Sequence, residues 1–172
     1  VSSEVLFTVL VLAVGLERVA ELIVSRRNAA FSLARGGVES GRGHYPFMVV
    51  LHTGLLVGAL VEVWTRRPDT VAVLAWTMLA LVAASQALRW WCIATLGRQW
   101  NTRVIVVPGG ARVTGGPYRW VPHPNYVAVV VEGFALPLVH SAWVTAVLFT
   151  VLNGCLLATR IRTEDAALAE LA

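Results

Sequence analysis

The sequence contains no lysine, only two cysteines and few charged residues of either sign. All fourteen basic residues are arginine, an absence that excludes little, because both cations serve loops. The cysteines exclude more. Cys92 and Cys155 each sit in an apolar run without a CxxC spacing or a nearby histidine, which argues against a disulfide framework or a zinc site, and no metal is expected. Charged residues make up 14% of 172 positions against 57% hydrophobic ones, and the mean hydropathy of +0.69 lies outside the range of soluble globular domains. Such a composition belongs in a bilayer. The N-terminal stretch EVLFTVLVLAVG has no basic segment before it and no small-residue cleavage site after it, so it reads as a retained membrane helix. No repeat or low-complexity linker divides the chain, and a single domain, 1–172, is expected.

Five apolar segments are present, at about Glu4–Ser25, Tyr45–Trp64, Thr70–Leu96, Tyr126–Val139 and Trp143–Ala158. The first three reach the ~20 residues that cross a hydrocarbon core. The last two are shorter and separated only by HSA, which suggests a helical hairpin. The expected fold is therefore an all-α integral membrane protein of five transmembrane helices, the last two a short hairpin, followed by a C-terminal helix. Three spans fill 1–96, and a loop, the hairpin and the tail fill 97–172. Arginine placement orients the chain: with the N-terminus outside, ten loop and tail arginines lie in the cytoplasm and only Arg66 and Arg67 outside.

The loop from Gly97 to Asn125 contains VIVVPGGARVTGGPY, where a β-branched run meets Gly-Pro punctuation. Its glycines either let backbone approach a ligand or simply shape an interfacial turn. Where this loop enters the fourth span, Pro122 and Pro124 bracket His123, and the unpaired N–H groups of the next helix face the cytoplasm. The element is a ligand anchor or a proline-defined helix start with an Asn125 cap. In the tail, Arg160 and Glu164 are four apart on one helix face, as an exposed pair or as two walls of a pocket.

Within the spans, Glu17, Arg18, Glu21, His52, Arg89 and Glu132 are costly in hydrocarbon and must face protein or a wet cavity. Glu17, Glu21, Arg18 and Arg89 suit an ion-pair network, whereas Glu132 and His52 require a tertiary partner or a substrate. Trp64, Trp76 and Trp143 fit an interfacial belt. Trp90, Trp91, Trp100 and Trp120 cluster toward the cytoplasmic side, as belt residues or as a pocket border.

At VTGGPYRWVPHPNY and RIRTEDAAL the sequence resembles the isoprenylcysteine carboxyl methyltransferase family, integral-membrane enzymes that use S-adenosyl-L-methionine. The resemblance runs from about Leu96 to Leu168 and rests on Gly116, Tyr118, His123, Pro124, Tyr126, Arg160, Glu164 and Asp165. It implies a multi-pass protein of the inner (cytoplasmic) membrane. It implies that the backbone of Gly110, Ala111, Arg112 and Val113, together with Tyr118, His123, Pro124, Asn125, Tyr126 and Glu164, holds the cofactor, that Arg103 adds a polar contact, and that Arg160 holds the acceptor's oxygen. Arg160 and Glu164 are the implied catalytic pair. Pro122 stands where the family has arginine, and Asp165 where it has a second glutamate.

GRGHYPFMVVLHTGLL and RQWNTRVIVVPG look like a compact bacterial branch whose members O-methylate alkylpyrones or alkylresorcinols. The expected partners are a lipophilic acceptor from the bilayer and membrane lipids, with no nucleic acid. For a neutral phenol acceptor, His52, His44 or Glu132 becomes the candidate base. Prenylcysteine carboxyl methylation, phospholipid N-methylation and a non-catalytic scaffold stay open at this point.

Overall fold

The computed structural model describes residues 2–171. Proline and glycine set most of the boundaries between its helices. Helix α1 (Ser3–Leu33) runs until Gly36, which turns with a positive φ of 79° while the Gly36 and Gly37 N–H groups return to the carbonyls of Leu33 and Ser32. Pro46 opens α2 (Tyr45–Arg66), and left-handed Arg67 followed by Pro68 ends it. Helix α3 (Ala72–Leu96) stops at Gly97, also at positive φ. Pro124 opens α4 (Pro124–Leu138), and α5 (Trp143–Leu171) completes the chain.

Three expectations need correction. With no glycine or proline between Gly15 and Gly36, α1 continues past Ser25, so Arg26 and Arg27 lie on a helix. The fifth segment and the tail form one continuous helix of 29 residues, because no helix breaker follows Gly154. The last two helices are therefore one short and one long instead of a short hairpin, while Arg160 and Glu164 lie, as expected, on the helix that leaves the fifth span. The fold is also not purely helical: strand β1 (Val38–Ser40) pairs antiparallel with β2 (Val104–Val106), Glu39 opposite Ile105, so the β-branched run in the long loop forms a sheet edge.

The chain is mostly helical, and among the described residues three helices are long and apolar enough to cross a membrane, Arg42–Arg66, Ala72–Gln99 and Trp143–Glu170. Helix α4 is shorter and packs chiefly on α3 and α5. Phe7, Val11 and Val14 of α1 meet Ala59 and Val63 of α2, Val82 of α3 and Leu136 of α4 in the apolar core. The charged residues of the spans face one another instead of lipid. Arg18 bonds Glu21 at 2.6 Å and Glu132 at 2.8 Å, Arg89 bonds Glu132 at 2.8 Å, and Gln86 and Trp90 both donate to Glu17. This network ties α1, α3 and α4, and it supplies the tertiary partners that Glu132 required.

At one end of the bundle, Glu62 of α2 caps α5, accepting from the Val144 N–H at 3.0 Å, the Thr145 N–H at 2.8 Å and the Thr145 hydroxyl at 2.7 Å. His140 joins Ser3 and Thr70 there. Between the ends, Gly133 of α4 lies under the Phe149 ring, where any added Cβ would collide, and Phe149 meets His52 edge-on at 5.4 Å. Gly133→Ala is expected to force α4 and α5 apart and cost about 1–3 kcal/mol, measurable as a lowered unfolding temperature in detergent.

The opposite end carries the loops that matter for function. Asn28 of α1 donates to the carbonyls of Gly97 (3.1 Å) and Trp100 (2.7 Å). One turn earlier, the buried Ser25 hydroxyl meets Asn101 Oδ1 at 2.8 Å and accepts from the Thr102 N–H at 3.0 Å. The long loop is thus pinned to α1 just before β2.

Candidate functional site

A cavity of about 890 Å³ opens at that end, between the long loop, the end of α1, the start of α4 and the end of α5. Its volume lies in the range of small-molecule pockets. From the long loop, Arg103, Gly110, Ala111, Arg112, Val113 and Tyr118 line it; His123, Asn125 and Tyr126 line it at the entry to α4, and Arg160 and Glu164 from α5. Gln99 anchors the glycine-rich stretch by donating to the Ala111 carbonyl at 3.3 Å.

His123 precedes α4 with non-helical φ and ψ of −128° and 63°, and its carbonyl accepts the Tyr126 N–H at 3.1 Å. The proline-defined helix start is therefore present, with His123 and not Asn125 at the cap position. The Asn125 Oδ1 is buried and without a partner among the described residues, as is the Trp100 Nε1. Both residues line the cavity, although these two atoms are themselves enclosed by protein. Pro124 is buried in the first turn of α4 and does not line the cavity.

Arg160 and Glu164 do not bond each other directly. The Tyr126 hydroxyl stands between them, donating to Glu164 and accepting from Arg160 Nε at 2.9 Å. Arg160 also donates to the Thr102 carbonyl through Nη2 and to the Met48 sulfur through Nη1 at 3.3 Å. Buried to 5% exposure, this guanidinium keeps two of its five N–H groups unspent, and the sulfur is a weak, displaceable acceptor. His123 stacks on Tyr126 with centroids 5.4 Å apart and donates from Nε2 to Asp165 Oδ1 at 3.0 Å. One hydrogen-bonded chain therefore connects Arg160, Tyr126 and Glu164, with the His123–Asp165 pair stacked alongside.

Burial, with the adjacent Cys92 second, pushes the Tyr118 phenol above its ordinary range and keeps it neutral. His52 and Glu132 do not line the cavity. His52 Nδ1 lies 2.8 Å from the Met48 carbonyl, which can only accept, so Nδ1 carries the proton.

Val121, Pro122, His123 and Tyr126 also border a second, apolar groove of about 380 Å³ on the outer side of α4 and α5, completed by Val127, Val130, Val131, Leu157 and Ile161. The two spaces share a wall.

Residues 76–170 match the isoprenylcysteine carboxyl methyltransferase family. The chain belongs to that family. It is a multi-pass membrane protein of a methyltransferase family, and the matched residues contain β2, α4, most of α3 and nearly all of α5. It is similar to the uncharacterized protein YpbQ of Bacillus subtilis, with 38% identity over 168 residues covering 96% of this chain and 98% of that protein. It is also similar to an uncharacterized protein of Haemophilus influenzae, with 23% identity over 151 residues, 87% of each chain. No solved structure matches the chain. Helices α1 and α2 lie outside the family match, yet Ser25, Asn28 and Met48 support the site. Sequence reasoning missed these three, because a serine, an asparagine and a methionine in apolar helices carry no spacing signal. Trp100 was visible as part of a tryptophan cluster.

Proposed function

We propose that the protein transfers a methyl group from S-adenosyl-L-methionine to an oxygen of a lipophilic acceptor, with an alkylpyrone or alkylresorcinol as the leading acceptor class. The observation that carries this reading is the convergence of Arg160, Tyr126 and Glu164 on one wall of a cavity that shares His123, Tyr126, Val121 and Pro122 with an apolar groove beside it. When bound, the cofactor supplies a methyl carbon activated by an adjacent sulfonium.

Glu164 offers a carboxylate to the cofactor's ammonium. Neutral Tyr118 presents an aromatic face on which a cation is stabilised. Arg160 holds the acceptor oxygen as an anion through its unspent N–H groups, so an acidic enol or carboxylate needs no strong base. The loop and helices exclude water from the alignment of donor and oxygen, where positioning supplies most of the rate.

The same reading places five spans in the cytoplasmic membrane, N-terminus outside. Helix α1 supports it: Val5, Leu6, Val9, Leu12, Leu16, Val19 and Ile23 form an exposed apolar stripe, while Glu17, Arg18 and Glu21 turn toward the bundle. Arg26 and Arg27 follow at the cavity end. Helix α4 is only 15 residues, about 22 Å long, and is sheltered by α3 and α5 instead of spanning alone. In this orientation the cofactor reaches the cavity from the cytosol, and the acceptor's tail lies in the apolar groove.

Incubating the purified protein with methyl-labelled cofactor and alkylpyrone, alkylresorcinol, phospholipid and farnesylcysteine acceptors tests the assignment. Transfer to the polyketide lipids is expected. Transfer to phospholipid alone overturns it.

A further inference from the structure

The mouth of the cavity holds two arginines that the methyl-transfer site does not use. Arg35, just past the end of α1, and Arg98, just past the end of α3, both lie against the Phe31 ring, their guanidinium carbons 3.9 and 4.6 Å from its centroid. All three residues line the cavity. Neither arginine pairs with a carboxylate among the described residues, because the acids nearby are engaged elsewhere. Glu39 faces Arg42 and Arg103, Asp165 faces His123, and Glu164 takes the Tyr126 hydroxyl. Two like charges held against one ring, without a counter-charge, repel each other until an anion joins them.

Their depth identifies the anion. Exposed Trp91 and Trp120 meet edge-on at 5.7 Å, and Trp120 lines the same mouth. The continuous exposed apolar stripe of α1 runs to Ile23, with Leu33 alone beyond it, and Arg26, Arg27 and Arg35 follow that stripe. Tryptophan belts and arginines at span ends mark the headgroup level of a bilayer, where phosphate is the abundant anion. Guanidinium forks match phosphate oxygens, and stacking on Phe31 keeps both forks extended. A zwitterionic headgroup would bring its own cation toward the arginines, whereas an anionic one would not.

We infer that Phe31, Arg35 and Arg98 form a binding site for the phosphate of an anionic phospholipid at the cavity mouth. The inference rests on the membrane orientation proposed above and not on the identity of the methyl donor.

The test is native mass spectrometry of the delipidated protein offered equal phosphatidylglycerol and phosphatidylcholine. The wild type is expected to retain phosphatidylglycerol with a preference of roughly tenfold, contributed by two phosphate-facing arginines and weakened by salt. Arg35→Gln with Arg98→Gln should abolish that preference and leave affinity for S-adenosylmethionine unchanged. Arg26→Gln with Arg27→Gln, which removes charges off the cavity, should keep it. No preference in the wild type, or its survival in the Arg35/Arg98 variant, overturns the site. A thermal shift with inorganic phosphate in place of any lipid preference overturns the lipid assignment, and a fall in cofactor affinity assigns the pair to the cofactor instead. A wild type that prefers phosphatidylglycerol yet binds no S-adenosylmethionine upholds this site and removes the methyltransferase reading alone.

Discussion

Replacing Glu164 by glutamine is expected to weaken binding of S-adenosylmethionine by roughly 10- to 100-fold, the worth of one charge-assisted hydrogen bond at ~1.5–3 kcal/mol. Glutamine keeps the shape and can still accept the Tyr126 hydroxyl, so the change isolates the carboxylate's charge from its packing. Glu164 is only partly buried, which keeps the expected loss near the lower end, because water screens the lost attraction. Calorimetry on the purified variant reads the effect. Affinity within about twofold of the wild type would remove Glu164 from the cofactor's ammonium.

Arg160→Lys should leave cofactor affinity within about threefold while lowering acceptor turnover by roughly 10²–10³, the loss found when one donor to a developing oxyanion is removed. Lysine preserves the charge but not the fork, and the fork is what the geometry uses. Nε is committed to Tyr126 and Nη2 to the Thr102 carbonyl, which leaves the remaining N–H groups aimed by a rigid plane. A single ammonium nitrogen cannot reproduce the spread of the fork, which reaches Tyr126 from Nε and the loop carbonyl from Nη2 while other N–H groups stay unspent. Turnover of labelled cofactor with the accepted lipid checks this, with thermal unfolding as the control for folding. An equal, mild loss in both cofactor affinity and turnover would contradict the division of roles between Arg160 and Glu164.

The sequence showed the site's parts but not their joints. Arg160 and Glu164 were visible as an i,i+4 pair and His123 as a proline-bracketed residue, because both patterns are local. The hydroxyl that joins the pair belongs to Tyr126, 34 residues before Arg160, and only the packing of α4 on α5 brings it there. Asp165, a departure from the family's glutamate, is close enough to His123 to accept its Nε2 proton at 3.0 Å, so the shorter side chain still reaches a partner. Glu132 shows the same limit in the core. Its partners lie 43 and 114 residues away, on α3 and α1, and nothing in VVVEGFAL points to them.

The fold was legible where hydrophobic length decides it. Helices α2 and α3 begin and end within two residues of the expected segments, since Pro46, Pro68 and Gly97 mark those boundaries in the sequence itself. It was less legible where a helix leaves the apolar zone without a breaker. Apolarity ends near Ser25 in α1 and near Ala158 in α5, but helix hydrogen bonding does not, and both helices continue to carry the residues that build the cavity. The strand at Val104–Val106 was hidden because its partner, Val38–Ser40, lies in a different loop.

The central claim is that the long loop and the end of α5 form one pocket for the methyl donor. Hydrogen exchange of the purified protein, with and without saturating S-adenosylhomocysteine, tests it most directly. Protection confined to Gly110–Tyr126 and Arg160–Leu168 is the predicted result. Saturable binding that leaves both segments exchanging as in the free protein, or that protects only one of them, would contradict the account.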